Sequence, residues 1–295
     1  MKKRVFTGAG TALITPMTEE GIDFDTFGRL VDWQIENGTD ALIVAATTGE
    51  GPTLDDAEHK SAIEFVVDRA AGKVPVIAGT GSNDTAYGLQ LTRAACQMGV
   101  DGVLVVTPYY NKATQDGLIR MYNTYADAST VPLIIYNVPS RTGCNVEPAT
   151  YAQLAKHENI VATKEANNNI AKIVETKALC GDNLDIYSGN DDQVIPLLSI
   201  GGIGVISVLS NIAPMVVHNM VMEYLEGDQQ KAVDLQLEYT PLIKALFSEV
   251  NPIPVKAAAS AMGFGENYLR SPMYPISEKN EKVLLEEMRK VGLLA

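Results

Sequence analysis

The sequence predicts an α/β chain, a (β/α)8 barrel over residues 1–226 followed by a small C-terminal helical domain over 227–295. Three observations carry this. Eight short β-branched apolar runs recur along the chain, segments with three- and four-residue apolar spacing lie between them, and the strand pattern stops near residue 226. The runs are Val5–Leu13, Ala41–Ala46, Val74–Ala78, Gly102–Val106, Val131–Tyr136, Ile160–Lys164, Leu184–Tyr187 and Gly204–Leu209. They are continuous rather than alternating, as suits parallel strands covered on both faces. The intervening segments Asp23–Asn37, Asp55–Ala71 and Asp84–Met98 read as helices, each with Asp near its start as an N-cap or first-turn anion. Eight such units close into a barrel of about 250 residues, which fits the length with an appendage to spare.

A doubly wound sheet would need a phosphate-binding glycine turn after an early strand. Gly79-Thr80-Gly81 and Gly8-Ala9-Gly10 lack the third glycine and the acidic partner of that motif, so they read as turn glycines. Gly201, Gly202 and Gly204 precede the eighth run and are expected to allow a tight turn into that strand. Beyond residue 226, Gln229–Glu249, Pro252–Met262 and Ser277–Val291 read as helices, with Pro252, Pro254, Pro272 and Pro275 punctuating the connections.

Composition narrows the function. The 295 residues are 46% hydrophobic and 20% charged, with a formal net charge of -13. That charge argues against broad nucleic-acid or anionic-membrane binding, which need a positive face. No apolar stretch approaches a membrane span, and residues 1–15 lack the ordered regions of a signal peptide, so a soluble cytoplasmic protein is expected. Cys96, Cys144 and Cys180 are widely spaced and odd in number, which suits a reducing compartment. His59, His157 and His218 are equally scattered, and neither a metal site nor a histidine-based triad is expected.

Lys164 is the anomaly. It ends the apolar run Ile160-Val161-Ala162-Thr163, where a solvated lysine is out of place. Burial disfavours the ammonium, and lowering its pKa from the ordinary value near 10.4 to about 7.4 corresponds to roughly 4 kcal/mol. The neutral amine is the nucleophile for an imine. The alternative is a lysine that snorkels out to pair with Glu165 or solvent.

In a barrel the chemistry sits where strands end. The residues there are Thr47-Thr48-Gly49-Glu50, Gly79-Thr80-Gly81-Ser82-Asn83, Pro108-Tyr109-Tyr110-Asn111, Tyr136-Asn137-Val138-Pro139-Ser140-Arg141, Lys164-Glu165 and Ser188-Gly189-Asn190. One lysine with several hydroxyls and one arginine suits imine chemistry on a keto acid. The Thr47-Thr48-Gly49 turn offers donors for a carboxylate, or else caps the next helix. Tyr136 could shuttle protons, or pack as strand-end tyrosines do. Arg141 could grip a second carboxylate by its fork, or make a surface ion pair.

With these residues set out in order, the chain resembles the dihydrodipicolinate synthase family, within a superfamily that includes N-acetylneuraminate lyase. The segments that carry the resemblance are Gly10-Thr11-Ala12, Thr47-Thr48-Gly49-Glu50, Thr107-Pro108-Tyr109-Tyr110-Asn111, Tyr136 to Gly143, Lys164-Glu165-Ala166, Ser188-Gly189 and Gly204-Val205-Ile206-Ser207. The resemblance implies condensation of pyruvate with L-aspartate 4-semialdehyde to 4-hydroxy-tetrahydrodipicolinate, leading to diaminopimelate and lysine. It implies Lys164 as the imine-forming residue and Tyr136 as proton shuttle, relayed through Thr48 to Tyr110 of a neighbouring subunit. Thr47 and Thr48 would hold the carboxylate of pyruvate and Arg141 that of the aldehyde, with the backbone of Gly189 and Ile206 lining the pocket. A homotetramer built as a dimer of dimers is implied, and no cofactor.

The departures are Ala46 where glycine is usual, Thr163 for an apolar residue before the lysine, and Asn167-Asn168-Asn169 for small residues after it. An allosteric lysine site would match Gly51, Pro52, Asp56, His59, Asn83, Tyr87 and Tyr109. Lysine-sensitive members carry an acid at the position of Tyr87, so weak or absent inhibition is expected. Two alternatives stand beside the synthase: a lyase of N-acetylneuraminate type or another keto-acid aldolase, against which Arg141 argues, and a non-catalytic barrel that binds keto acids.

Overall fold

The computed structural model describes residues 2–295. Eight strands form a closed parallel barrel: β1 (Gly8–Ala12), β2 (Ala41–Val44), β3 (Val76–Gly79), β4 (Gly102–Val106), β5 (Leu133–Asn137), β6 (Ile160–Glu165), β7 (Asp185–Ser188) and β8 (Gly204–Ser207). Each pairs with its sequence neighbours, and β1 closes against β8 through Gly8↔Gly204 to Thr11↔Ser207. The helices are α1 (Phe24–Glu36), α2 (Asp56–Ala70), α3 (Thr85–Gln97), α4 (Gln115–Ala128), α5 (Pro139–Thr142), α6 (Pro148–Leu154), α7 (Ile170–Cys180), α8 (Val194–Leu198), α9 (Pro214–Glu226), α10 (Gln229–Leu246), α11 (Ile253–Ala261) and α12 (Glu278–Lys290). No described helix is long and apolar enough to cross a membrane.

The predicted caps form. Asp23 accepts from the Thr26 amide, Asp84 from that of Ala86, and Asp55 makes a reciprocal capping box with Glu58. The eighth strand is shorter than the run that announced it. The chain turns at Leu209–Asn211 because the buried Asp191 carboxylate accepts from the Val208 and Leu209 amides, at 3.0 and 2.9 Å. The short helices α5, α6 and α8 have too few turns to leave a periodic signal.

Side chains alternate along β5, with Leu133 and Ile135 facing the helices while Ile134 and Tyr136 face the barrel interior. After β8 the chain is helical. Helix α10 packs along α9, α12 packs on α10 and α11, and the segment from Asn251 to Arg270 returns to the mouth of the barrel.

Candidate active site

Register sets the centre of the site. Tyr136 on β5 is the cross-strand partner of Lys164 on β6, and both project inward. Lys164 Nζ lies 4.3 Å from the centroid of the Tyr136 ring, with Lys164 4% and Tyr136 6% exposed. No carboxylate lies within ion-pair distance of Lys164 among the described residues. The pairing with Glu165 does not occur, because consecutive strand residues face opposite ways. Glu165 points outward, accepting from Asn137 Nδ2 and Tyr151 Oη at 2.9 Å and from the Asn167 amide at 3.0 Å. Burial pushes its carboxyl up to about 7, against these hydrogen bonds.

The turn after β2 is held in a costly shape. Ala45 and Glu50 have φ of 54° and 55°, and Tyr110 and Lys112 after β4 have 69° and 54°. Four of the five non-glycine residues with positive φ therefore lie on two loops at one end of the barrel. Such strain persists where surrounding structure imposes it. Around the β2 turn that structure is visible: Glu50 forms a buried ion pair with Lys256 of α11, and its other oxygen accepts from the Arg270 amide at 3.2 Å. Gly51 is required there, since a Cβ would sit 2.4 Å from the Ala45 carbonyl oxygen.

A cavity of about 390 Å³ opens at this end. Thr47, Tyr136 and Arg141 line it together with His59, Tyr87 and Tyr109, so one expected catalytic residue, two substrate-binding ones and three regulatory ones share this chamber, while Lys164 is not among its lining residues. Thr48, like Lys164, is buried and not among the lining residues, its Oγ1 accepting from Asn251 Nδ2 at 3.0 Å. Arg141 is exposed and meets no carboxylate among the described residues; its Nη2 donates to the Asn251 carbonyl at 2.9 Å. The Gly189 amide donates to the Glu165 carbonyl at 2.8 Å, and Ile206 lies in the barrel interior. Tyr110 stands apart, 92% exposed on its strained turn. His59 Nε2 is 2.8 Å from the Gly79 carbonyl, and Asn83 accepts through its backbone from Asn111.

A family model described as the dihydrodipicolinate synthetase family matches residues 5–290. The chain belongs to that family. A relative from Thermoanaerobacter sp. (strain X514), named 4-hydroxy-tetrahydrodipicolinate synthase, is 50% identical over 291 residues, covering 98% of each chain. The crystal structure of dihydrodipicolinate synthase from Thermotoga maritima superposes with a TM-score of 0.97 at 44% identity, covering 99% of this chain and 100% of that one. A chloride-inhibited dihydrodipicolinate synthase from Acinetobacter baumannii, solved complexed with pyruvate, superposes at 0.95 with 37% identity, covering 98% and 99%. Membership makes the chain an enzyme, a lyase of lysine biosynthesis.

Against the dihydrodipicolinate synthetase pattern, the departing residues in and after β6 find plain structural work. Thr163 Oγ1 faces the helices, 3.0 Å from Tyr151 Oη and 3.3 Å from the Ile135 carbonyl, so it serves the outer network rather than the amine. Asn167 Nδ2 donates to Asn145 Oδ1 at 3.2 Å, Asn168 Oδ1 accepts from Asn190 at 3.2 Å, and Asn169 caps α7. Sequence reasoning missed Asn251 and Lys256. The signal available for Lys256 was the one that exposed Lys164, a lysine within an apolar helix, Ile253–Ala261.

Proposed function

We propose that the chain condenses pyruvate with L-aspartate 4-semialdehyde through an imine on Lys164, giving 4-hydroxy-tetrahydrodipicolinate. The observation that carries this reading is a lysine 4% exposed, without a carboxylate partner, over the face of a tyrosine at the catalytic end of a barrel. Lys164 attacks the keto carbon, and the carbonyl oxygen leaves as water. The imine then draws electrons from the methyl group, which loses a proton to give an enamine. The enamine carbon attacks the aldehyde carbon, and the aldehyde oxygen takes up a proton; the amino group of the semialdehyde then attacks the imine carbon, closing the ring as the bond to Lys164 breaks and the lysine leaves as the free amine.

Tyr136 is the group to carry those protons. Thr47, which shares the cavity wall with it, is better situated than Thr48 to continue the relay. Thr48, held by Asn251, suits the keto acid's carboxylate, and Arg141, free of carboxylates, suits that of the aldehyde. Tyr110 has no role within one chain; its exposure suits a relay residue lent to a neighbouring subunit in a homotetramer or its tight dimer. The Acinetobacter relative's complex with pyruvate supports the choice of keto acid. The cytoplasm is the expected compartment.

The test is mass spectrometry after borohydride treatment with pyruvate, comparing wild type with Lys164→Ala, followed by the semialdehyde as acceptor. A pyruvyl adduct on Lys164, consumed by this aldehyde in borohydride-free turnover, supports the synthase. Turnover of sugar aldehydes instead redirects the reading to an N-acetylneuraminate type lyase, and absence of an adduct overturns the imine and favours a binding barrel.

A further inference from the structure

Asn251 lies between α10 and α11, outside the barrel, yet it is 5% exposed and touches two residues of the site. Its side-chain Nδ2 donates to Thr48 Oγ1 at 3.0 Å, and its backbone carbonyl accepts from Arg141 Nη2 at 2.9 Å. A hydroxyl has one hydrogen and can accept as well as donate. With the Asn251 amide donating into it, Thr48 keeps its own hydrogen uncommitted, and no acceptor takes that hydrogen among the described residues. Asn251 Oδ1 is buried without a partner. The reversed amide would spend the Thr48 hydrogen on Oδ1 and leave both N–H donors without a partner in the interior, where now one of them is satisfied.

We propose that Asn251 is a positioning residue that makes Thr48 an obligate hydrogen donor to the keto acid's carboxylate, while its backbone carbonyl separately holds Arg141 for the aldehyde. This rests on the roles of Thr48 and Arg141 proposed above. The two arms are chemically separable. Substitution of the side chain removes the bond to Thr48 and leaves the carbonyl that serves Arg141, so the keto acid alone loses affinity.

The experiment measures pyruvate half-saturation of borohydride-trapped adduct, and KM for both substrates, in wild type, Asn251→Ala, Asn251→Asp, Thr48→Val and the Thr48→Val/Asn251→Ala pair. Asn251→Ala raises pyruvate half-saturation about tenfold, the loss of one buried hydrogen bond. Asn251→Asp raises it further, to about a hundredfold, because a carboxylate accepts the Thr48 hydrogen and repels the substrate's charge. The semialdehyde KM stays within about twofold throughout, and Asn251→Ala adds nothing once Thr48 is valine. A merely structural residue would move both KM values together. The proposal is overturned if Asn251→Asp behaves as wild type, if both substrates weaken in parallel, or if the two single effects add. The aspartate variant preserves the side chain's shape and so reads out even where the alanine variant fails to fold. A wild-type enzyme without any adduct would remove the imine reading first, and this inference with it.

Discussion

Glu50 and Lys256 meet as an ion pair in the interior, with side-chain exposures of 0% and 1%. The pair spans 206 positions in sequence and clamps the strained turn that carries Thr47 and Thr48 to α11. Burial lowers the affinity of Lys256 for its proton, and the Glu50 charge opposes that. Removing one partner strands a buried charge, at a cost of about 3–5 kcal/mol, whereas removing both is close to neutral. Lys256→Met is therefore expected to lose that much in urea unfolding, and Glu50→Gln/Lys256→Met to recover most of it. Equal losses in the single and double variants would contradict the clamp.

The Glu165 network predicts a pH dependence of stability. Its carboxyl is raised from the ordinary value of 4.5 to about 7 by burial, so the native state holds the proton more tightly than the unfolded chain. The associated stability is fully present below about pH 4.5 and is lost as pH rises through about 7, a loss of about 3 kcal/mol. Glu165→Gln mimics the protonated form: its oxygen can accept from Asn137 and Asn167, and its amide can donate to Tyr151. Unfolding at pH 5 should find the two proteins alike, and at pH 8.5 the variant more stable. The opposite order would show that the charged form is the one the interior favours.

Tyr110 gives a test of site sharing. If its phenol acts in a neighbouring subunit, Tyr110→Phe and Lys164→Ala complement each other, because one mixed site receives an intact lysine and an intact tyrosine. Random pairing into dimers then restores about a quarter of wild-type sites, whereas action within one chain restores none. The measurement is turnover after the two weakly active proteins are unfolded and refolded together.

Lysine inhibition is expected to be weak. The cavity wall presents Tyr87 where a carboxylate would hold the effector's ammonium, and nearby Asp56 is committed to Lys60 at 2.6 Å. The missing charge-assisted bond is worth about 1.5–3 kcal/mol, roughly ten- to a hundredfold in affinity. Half-inhibition at micromolar lysine would refute this.

Much of the site was legible because strand ends converge in a barrel. A list of residues following each apolar run becomes a list of neighbours once the sheet closes, which is how Thr47, Tyr136, Arg141 and Lys164 could be grouped from sequence. The difference between Thr47, which lines the cavity, and Thr48, which is buried under Asn251, was not legible. Both follow the same strand, and the left-handed residues Ala45 and Glu50 that flank them have no marker in their residue type.

Local periodicity and residue chemistry therefore determined the barrel, the helical tail, the helix caps and the lysine at the end of β6, since each depends on contacts within a few residues or one strand repeat. Tertiary structure alone decided that Glu165 turns away from Lys164, that Glu50 and Thr48 are tied to Lys256 and Asn251, and that Arg141 is held by a backbone carbonyl. Those bonds join residues up to about two hundred positions apart, and one carbonyl is chemically like any other until the fold chooses its neighbour.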